Sequence, residues 1–232
     1  MTLNRFLQEH SFVSLTRGTL MACREGLKLM SQSLDPLHNL AHIERILDNL
    51  DRFINESREV KWKKVNFDVL LLAICWHDIW KSQRLATSGK KLVYYHLAEG
   101  LGSMRFFSRN SHSWNISPQT VKKAKLAIRK HSALQFLPTR NLEAKILKDM
   151  DKLEEWSIDR IRLVLGQIED FKHISPRILT VFKFYTQRWM VFFSNKSYFI
   201  WTRLQIINMR AEFVKFTRDT IVEIAKKTFT LK

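Results

Sequence analysis

His77 and Asp78 stand side by side at the end of the most apolar stretch of the chain, Leu70-Leu71-Leu72-Ala73-Ile74-Cys75-Trp76. Such a stretch belongs in a protein core, where an ionised carboxylate costs on the order of several kcal/mol unless a cation or hydrogen bonds compensate. The pair therefore asks for partners. His38 and His42 are four residues apart and share one face of any helix that contains them. In Lys148-Asp149-Met150-Asp151-Lys152-Leu153, Asp151 lies beside the apolar stripe of its segment. Imidazoles and carboxylates brought together form a mixed N/O site that suits borderline or hard divalent ions. Each group also has an ordinary structural use, as a satisfied core histidine, a capping Asp or half of an ion pair. Spacing alone leaves both uses open.

The elements that must position these residues read as helices throughout. Apolar positions recur at helical spacing over Ser11 to Leu29. Ser33-Leu34-Asp35-Pro36 reads as a helix start, with Asp as cap and Pro in the first turn. Leu40, Ile43, Ile46, Leu47, Leu50 and Phe53 then form an amphipathic stripe. Phe67 to Trp76 is apolar nearly all round, which predicts a buried central helix. Lys81 to Lys91 is expected as a loop, and Leu92 to Phe107 as a helix. After a polar loop from Asn110, Ser117-Pro118 starts a basic amphipathic helix ending at His131. Asn141 caps a helix to about Glu155, and Ile158 to Gln167, Arg177 to Phe193 and Ser197 to Lys227 read as further helices. A soft boundary falls at His173-Ile174-Ser175-Pro176.

Composition agrees with an all-α fold. Six Gly and four Pro in 232 residues leave too few turn formers for a sandwich or barrel. The two cysteines, Cys23 and Cys75, support neither a disulfide framework nor a Cys-based zinc site and fit a reducing compartment. No apolar run approaches the ~20 residues of a spanning helix, nor does the N-terminus read as a signal peptide; the expectation is a cytoplasmic protein. The net charge of +17 calls for an anionic partner and is unevenly spread. Between Ile79 and Asn141 twelve Lys and Arg face a single acid, Glu99. Phe171 to Arg210 holds seven bases, ten aromatics and no acid, whereas Glu143 to Asp170 collects eight acids.

Taken in order, the three clusters give the pattern H…HD…D, which resembles the HD superfamily of metal-dependent phosphohydrolases. Asp35 to Ile46 is similar to the first motif of its small stand-alone members, Asp-x-x-His-Asp/Asn-x-x-His-Ile-x-Arg-Val/Ile. His77-Asp78 looks like the defining dipeptide, and Asp149-Met150-Asp151-Lys152-Leu153 like the closing Asp-Ala-Asp-Lys-Leu. Met150 departs from the usual small residue, and Asn39 from a common Asp. The resemblance covers about Asp35 to Trp156. It implies a compact HD-domain bundle with a helical C-terminal extension: an N-terminal helix in 1–34, a hydrolase core in 35–156 and an aromatic-basic region in 157–232. It further implies His42, His77, Asp78 and Asp151 as ligands, with Asp149 the alternative to Asp151. They would hold one divalent metal ion (Mn, Fe, Ni, Co, Zn or Mg) that activates water for phosphoryl hydrolysis. Asp78 would also accept a proton. Lys81, His131 and His38 are the expected substrate-binding groups, with Arg45 and Glu99 as outer candidates.

The expected partner is a phosphorylated small molecule of nucleotide type. A competing reading is a basic helical nucleic-acid-binding protein that retains the metal site, because bases stack on aromatics while Lys and Arg meet phosphates. A third makes the tail a dimerisation or membrane-surface element. Monomer and homodimer both stay open.

Overall fold

The computed structural model describes residues 1–132, 138–169, 180, 183–184 and 196–229, and among them every regular element is a helix. They are α1 (Leu3–Glu9), α2 (Arg17–Ser31), α3 (Leu40–Glu56), α4 (Phe67–Trp76), α5 (Ile79–Ser82), α6 (Gly89–Asn110), α7 (Pro118–His131), α8 (Leu142–Glu155), α9 (Ile158–Glu169) and α10 (Ile200–Phe229). Short 3-10 turns occur at Trp62–Lys64 and Ser111–Ser113. The chain divides into two compact units, Met1–Asp151 and Lys152–Lys232.

In the first unit α4 is the axis. Asn66 caps it by accepting the Val69 N–H, and the Asn66 N–H itself donates to Glu143 of α8 at 2.9 Å. Every residue of α4 except Asp68 is buried, as its all-round apolar sequence requires. Helices α2 and α7 pack along it, α6 lies on α7, and α5 packs on α6. The α2–α4 approach is close: the buried face of α2 includes Gly18, Ala22, Cys23 and Gly26, and a Cβ on Gly26 would stand 2.8 Å from the Cys75 carbonyl. The Trp76 indole N–H donates across the same seam to the Ala22 carbonyl. The hydrogen bond with the adjacent Cys75 thiol, and burial after it, keep Cys23 well above the usual thiol range.

Several boundaries differ from the sequence expectation. The helix predicted from Ser11 begins at Arg17, because the Thr16 side chain caps it and the Thr16 backbone N–H is held by Asp68 at 3.0 Å. That start turns Phe12 and Met21 outward and gives the buried face to small residues. Asp35-Pro36 does not start a helix. The Asp35 carboxylate instead accepts the Leu37 N–H within a turn, and Asn39 caps α3. The predicted loop 81–91 shrinks, since Lys81 lies in α5 and α6 starts at Gly89 behind the Ser88 cap.

In the second unit α9 packs on α10, with the Trp156 and Phe213 rings 4.8 Å apart. The expected helix Arg177 to Phe193 lies largely outside the described residues, and the boundary at 173–176 wholly so. No helix among the described residues is long and apolar enough to cross a membrane.

Candidate metal centre

Four chain segments of the first unit converge on one buried point. His77 is the C-terminal cap of α4, and with Asp78 it forms the turn into α5. Leaving the helix there lets two adjacent side chains aim at the same place. His42 comes from the first turn of α3, Asp151 from α8, and His131 is the last residue of α7. The Nε2 atoms of His42 and His77 are 3.1 Å apart. Asp78 Oδ2 lies 3.3 Å from each, and Asp151 Oδ1 lies 3.6 Å from His42 and 3.9 Å from His77.

Those separations suit a cation. Ligand atoms bonded at ~2.0–2.2 Å to one ion stand roughly 3.0–3.5 Å apart at neighbouring positions. The donor chemistry agrees. His77 Nδ1 donates to the Ile74 carbonyl at 2.8 Å, which leaves Nε2 as the ligating atom, the usual anchoring of a metal-bound imidazole. His131 is anchored the same way on the Ile128 carbonyl. Three sets of side chains, His42/His77/Asp78, His77/His131/Asp151 and Asp78/Glu99/His131, each offer ligand atoms within 4.8 Å of one another. Buried His and Asp groups here could hold a metal ion.

Electrostatics point the same way. Burial opposes a charge on His77, but the Asp78 carboxylate, with Asp151 behind it, overrides that and pushes the imidazole up to about 9. The extra proton sits where two Nε2 lone pairs would otherwise meet. Burial likewise opposes ionised Asp78, and His77, His38 and Lys81 together hold its carboxyl well below the usual carboxylate range. Asp78 Oδ1, His131 Nε2 and Glu99 Oε2 make no aligned hydrogen bond although all are buried, and His131 Nε2 stands 3.4 Å from Asp78 Oδ1.

Around this point lies a second layer. His38 sits in the turn before α3, not on the helix with His42, yet their rings are 5.8 Å apart. Its Nδ1 donates to Asp35 Oδ2 at 2.7 Å, and its Nε2 accepts from the Lys81 ammonium at 3.1 Å while standing 3.6 Å from Asp78. Lys81 is buried and also contacts Glu99 and His96. Lys81 and His96 outweigh the burial of Glu99 and keep its carboxyl well below the usual range. Arg45 is half-buried on α3. Asp149 is fully buried on α8, two residues and so about 200° around the helix from Asp151.

All seven expected site residues, His38, His42, His77, Asp78, Lys81, His131 and Asp151, thus belong to one cluster. The sequence reading missed His96, whose signal was its i, i+3 spacing to Glu99 on one helix. Of these side chains, His96 (34% exposed) and Asp151 (15% exposed) are the ones that reach solvent. Comparison with known proteins finds no matching family model, no matching curated protein and no matching solved structure.

Proposed function

We propose that this chain is a metal-dependent phosphohydrolase of the HD type, cleaving a phosphate ester or anhydride of a nucleotide or related phosphorylated metabolite. The observation that carries the reading is the convergence of His42, His77, Asp78 and Asp151, with the contacts among them at 3.1–3.9 Å. A structural ion pair needs two such groups. Two imidazoles and two carboxylates, drawn from two helices and the turn between α4 and α5, are the donor set of a divalent ion.

A divalent ion held there would polarise a phosphoryl oxygen and lower the pKa of a coordinated water. The chain's own groups divide the remaining tasks. Asp78 stays ionised and keeps a ligand oxygen toward His42 and His77. Its other oxygen faces His131 Nε2, which is placed to take on the proton of the attacking water. Asp35 fixes the tautomer of His38 by accepting from Nδ1. Lys81 positions Glu99 and His38 and adds positive potential behind the site. The twelve bases between Ile79 and Asn141 draw an anionic substrate to this unit.

The test is metal analysis of purified protein, followed by a screen of nucleotides and other phosphomonoesters and anhydrides with Mn²⁺, Mg²⁺, Ni²⁺, Co²⁺ or Zn²⁺. One divalent ion per chain and release of inorganic phosphate are expected. Activity should fall at least a hundredfold in His77→Ala and Asp151→Ala. Wild-type protein that neither carries nor takes up a divalent ion overturns the reading.

A further inference from the structure

Helix α6 has two working faces. Its inner face supplies Glu99 and His96 to the cluster, receives the Trp80 N–H on Ser103 at 3.2 Å, and lets Trp80 lie directly on Gly102. Its outer face is unusual. Tyr94, Leu97 and Leu101 recur at i, i+3 and i+7 and are 59%, 59% and 41% exposed. Water-facing leucines scattered singly need no explanation, but three large apolar groups in one stripe form a patch. Lys90 and Lys91 flank that stripe at its N-terminal end, Arg105 and Arg109 at its C-terminal end, and all four are exposed. The helix contains one acid, Glu99, which is buried against Lys81 on the other face.

We infer that the outer face of α6 docks on the surface of an anionic lipid bilayer. A 22-residue helix is about 33 Å long, so it can lie in the plane of a membrane with its middle in the headgroup–acyl boundary and both ends among the headgroups. The distribution of groups matches that depth profile: apolar in the centre, cationic at both ends, low in overall hydropathy. Charge complementarity selects anionic lipid, since no exposed carboxylate lies anywhere on the helix and each Lys or Arg gains from a negative surface. A nucleic acid fits the same face less well. Its phosphates would run over two leucines that neither stack on bases nor neutralise charge, and the Tyr94 ring already contacts Trp80 and Tyr95.

The experiment is co-sedimentation of the full chain with phosphatidylcholine vesicles carrying 0% or roughly 30% phosphatidylserine, in about 0.1 M salt, beside anisotropy titrations with single- and double-stranded oligonucleotides. Binding at least tenfold tighter to the phosphatidylserine vesicles is expected. It should be lost in Leu97→Glu/Leu101→Glu, weakened in Arg105→Gln/Arg109→Gln, and kept in Phe12→Glu, an exposed apolar site on another segment. Leu97→Gln/Leu101→Gln removes the apolar groups without adding charge and should lose most of the binding too. Unchanged circular dichroism and metal content show that each variant folds. The inference is overturned if the wild type ignores both vesicles or binds them equally, if Leu97→Glu/Leu101→Glu binds normally, or if oligonucleotides bind while vesicles do not. Its failure leaves the metal centre untouched, because none of these residues belongs to it.

Discussion

Two regions of the first unit bury a histidine against an aspartate, and they differ in a way that separates a structural pair from a site. Near the N-terminus His10 Nε2 meets Asp51 Oδ1 at 2.9 Å. The Asp51 side chain is 20% exposed and also accepts from Asn55, while the His10 ring packs against Phe6 and Phe12. One imidazole meets one carboxylate there, an amide shares the same oxygen, and the carboxylate is partly exposed. At the candidate metal centre, by contrast, the Nε2 atoms of His38, His42 and His77 all lie within 3.6 Å of one oxygen of Asp78, and Asp151 adds a second carboxylate. More ligand atoms meet at that point than at the His10–Asp51 pair. A buried histidine is ordinary; several imidazoles and carboxylates around one point make a place that could hold a cation.

The sharpest way to break this contrast is to delete one member of each. His77→Ala and Asp78→Asn are expected to remove bound metal altogether, with affinity lower by at least a hundredfold, whereas His10→Ala keeps full metal stoichiometry. Elemental analysis of the three purified variants reads this directly. Equal metal content in all of them would dissolve the distinction. A finer version lies within α8. Asp151→Asn should weaken metal binding ten- to a hundredfold or more, as loss of a ligand charge does, while Asp149→Asn should keep the ion because its side chain points about 200° away. Competition titration with a chromogenic chelator measures both.

Protonation supplies the next test. His77 is pushed up to about 9 from an ordinary value near 6.5, so the metal-free protein carries a proton that a bound ion must displace. Metal affinity should therefore rise about tenfold per pH unit from pH 7 and level off above about 9. Calorimetry at pH 7.5 in two buffers of different ionisation enthalpy should show about one proton released per ion. In the metal-free state the sign for stability is the opposite. Charged His77 stabilises the fold below pH 6.5, and that contribution is lost as pH rises through about 9. Thermal melts of chelator-treated protein should fall over this window, and those of loaded protein should not.

How much of this was legible in the sequence depends on what each segment had to satisfy. Helix α4 was readable because ten residues of nearly unbroken apolarity follow the Asn66 cap, and His77-Asp78 because a charged pair contradicts such a core. The α3 stripe was equally plain. The turn carrying His38 was not, since Asp35-Pro36 and Asn39 both look like helix starts. The choice is made by tertiary partners, with Leu37 and His38 drawing on the Asp35 carboxylate. Helix α1 escaped notice because seven residues bury only Leu3 and Phe6, too few for a periodic signal. His96 and the role of Lys81 were hidden for a related reason. Which polar residues of α6 turn inward is decided by Trp80 seating on Gly102 and by the Lys81–Glu99 pair, and neither is local in sequence.

The smallest expected effect is at the structural pair itself, and it tests whether that region is as ordinary as the contrast requires. Asp51→Asn retains a carbonyl oxygen where Oδ1 stood, so His10 keeps an acceptor and the cost should be about 1 kcal/mol. Asp51→Ala leaves the buried His10 ring nitrogen without that acceptor and should cost about 1–3 kcal/mol. Because Asp51 is partly solvated, neither change should approach the loss expected from stripping a partner out of a fully buried ion pair, about 3–5 kcal/mol. Urea denaturation of both variants with metal bound gives the comparison. Metal stoichiometry and phosphatase rate should stay at wild-type values throughout. If Asp51→Asn lowered metal affinity tenfold, the His10–Asp51 pair would be a support of the α3 end of the site and not a purely structural contact.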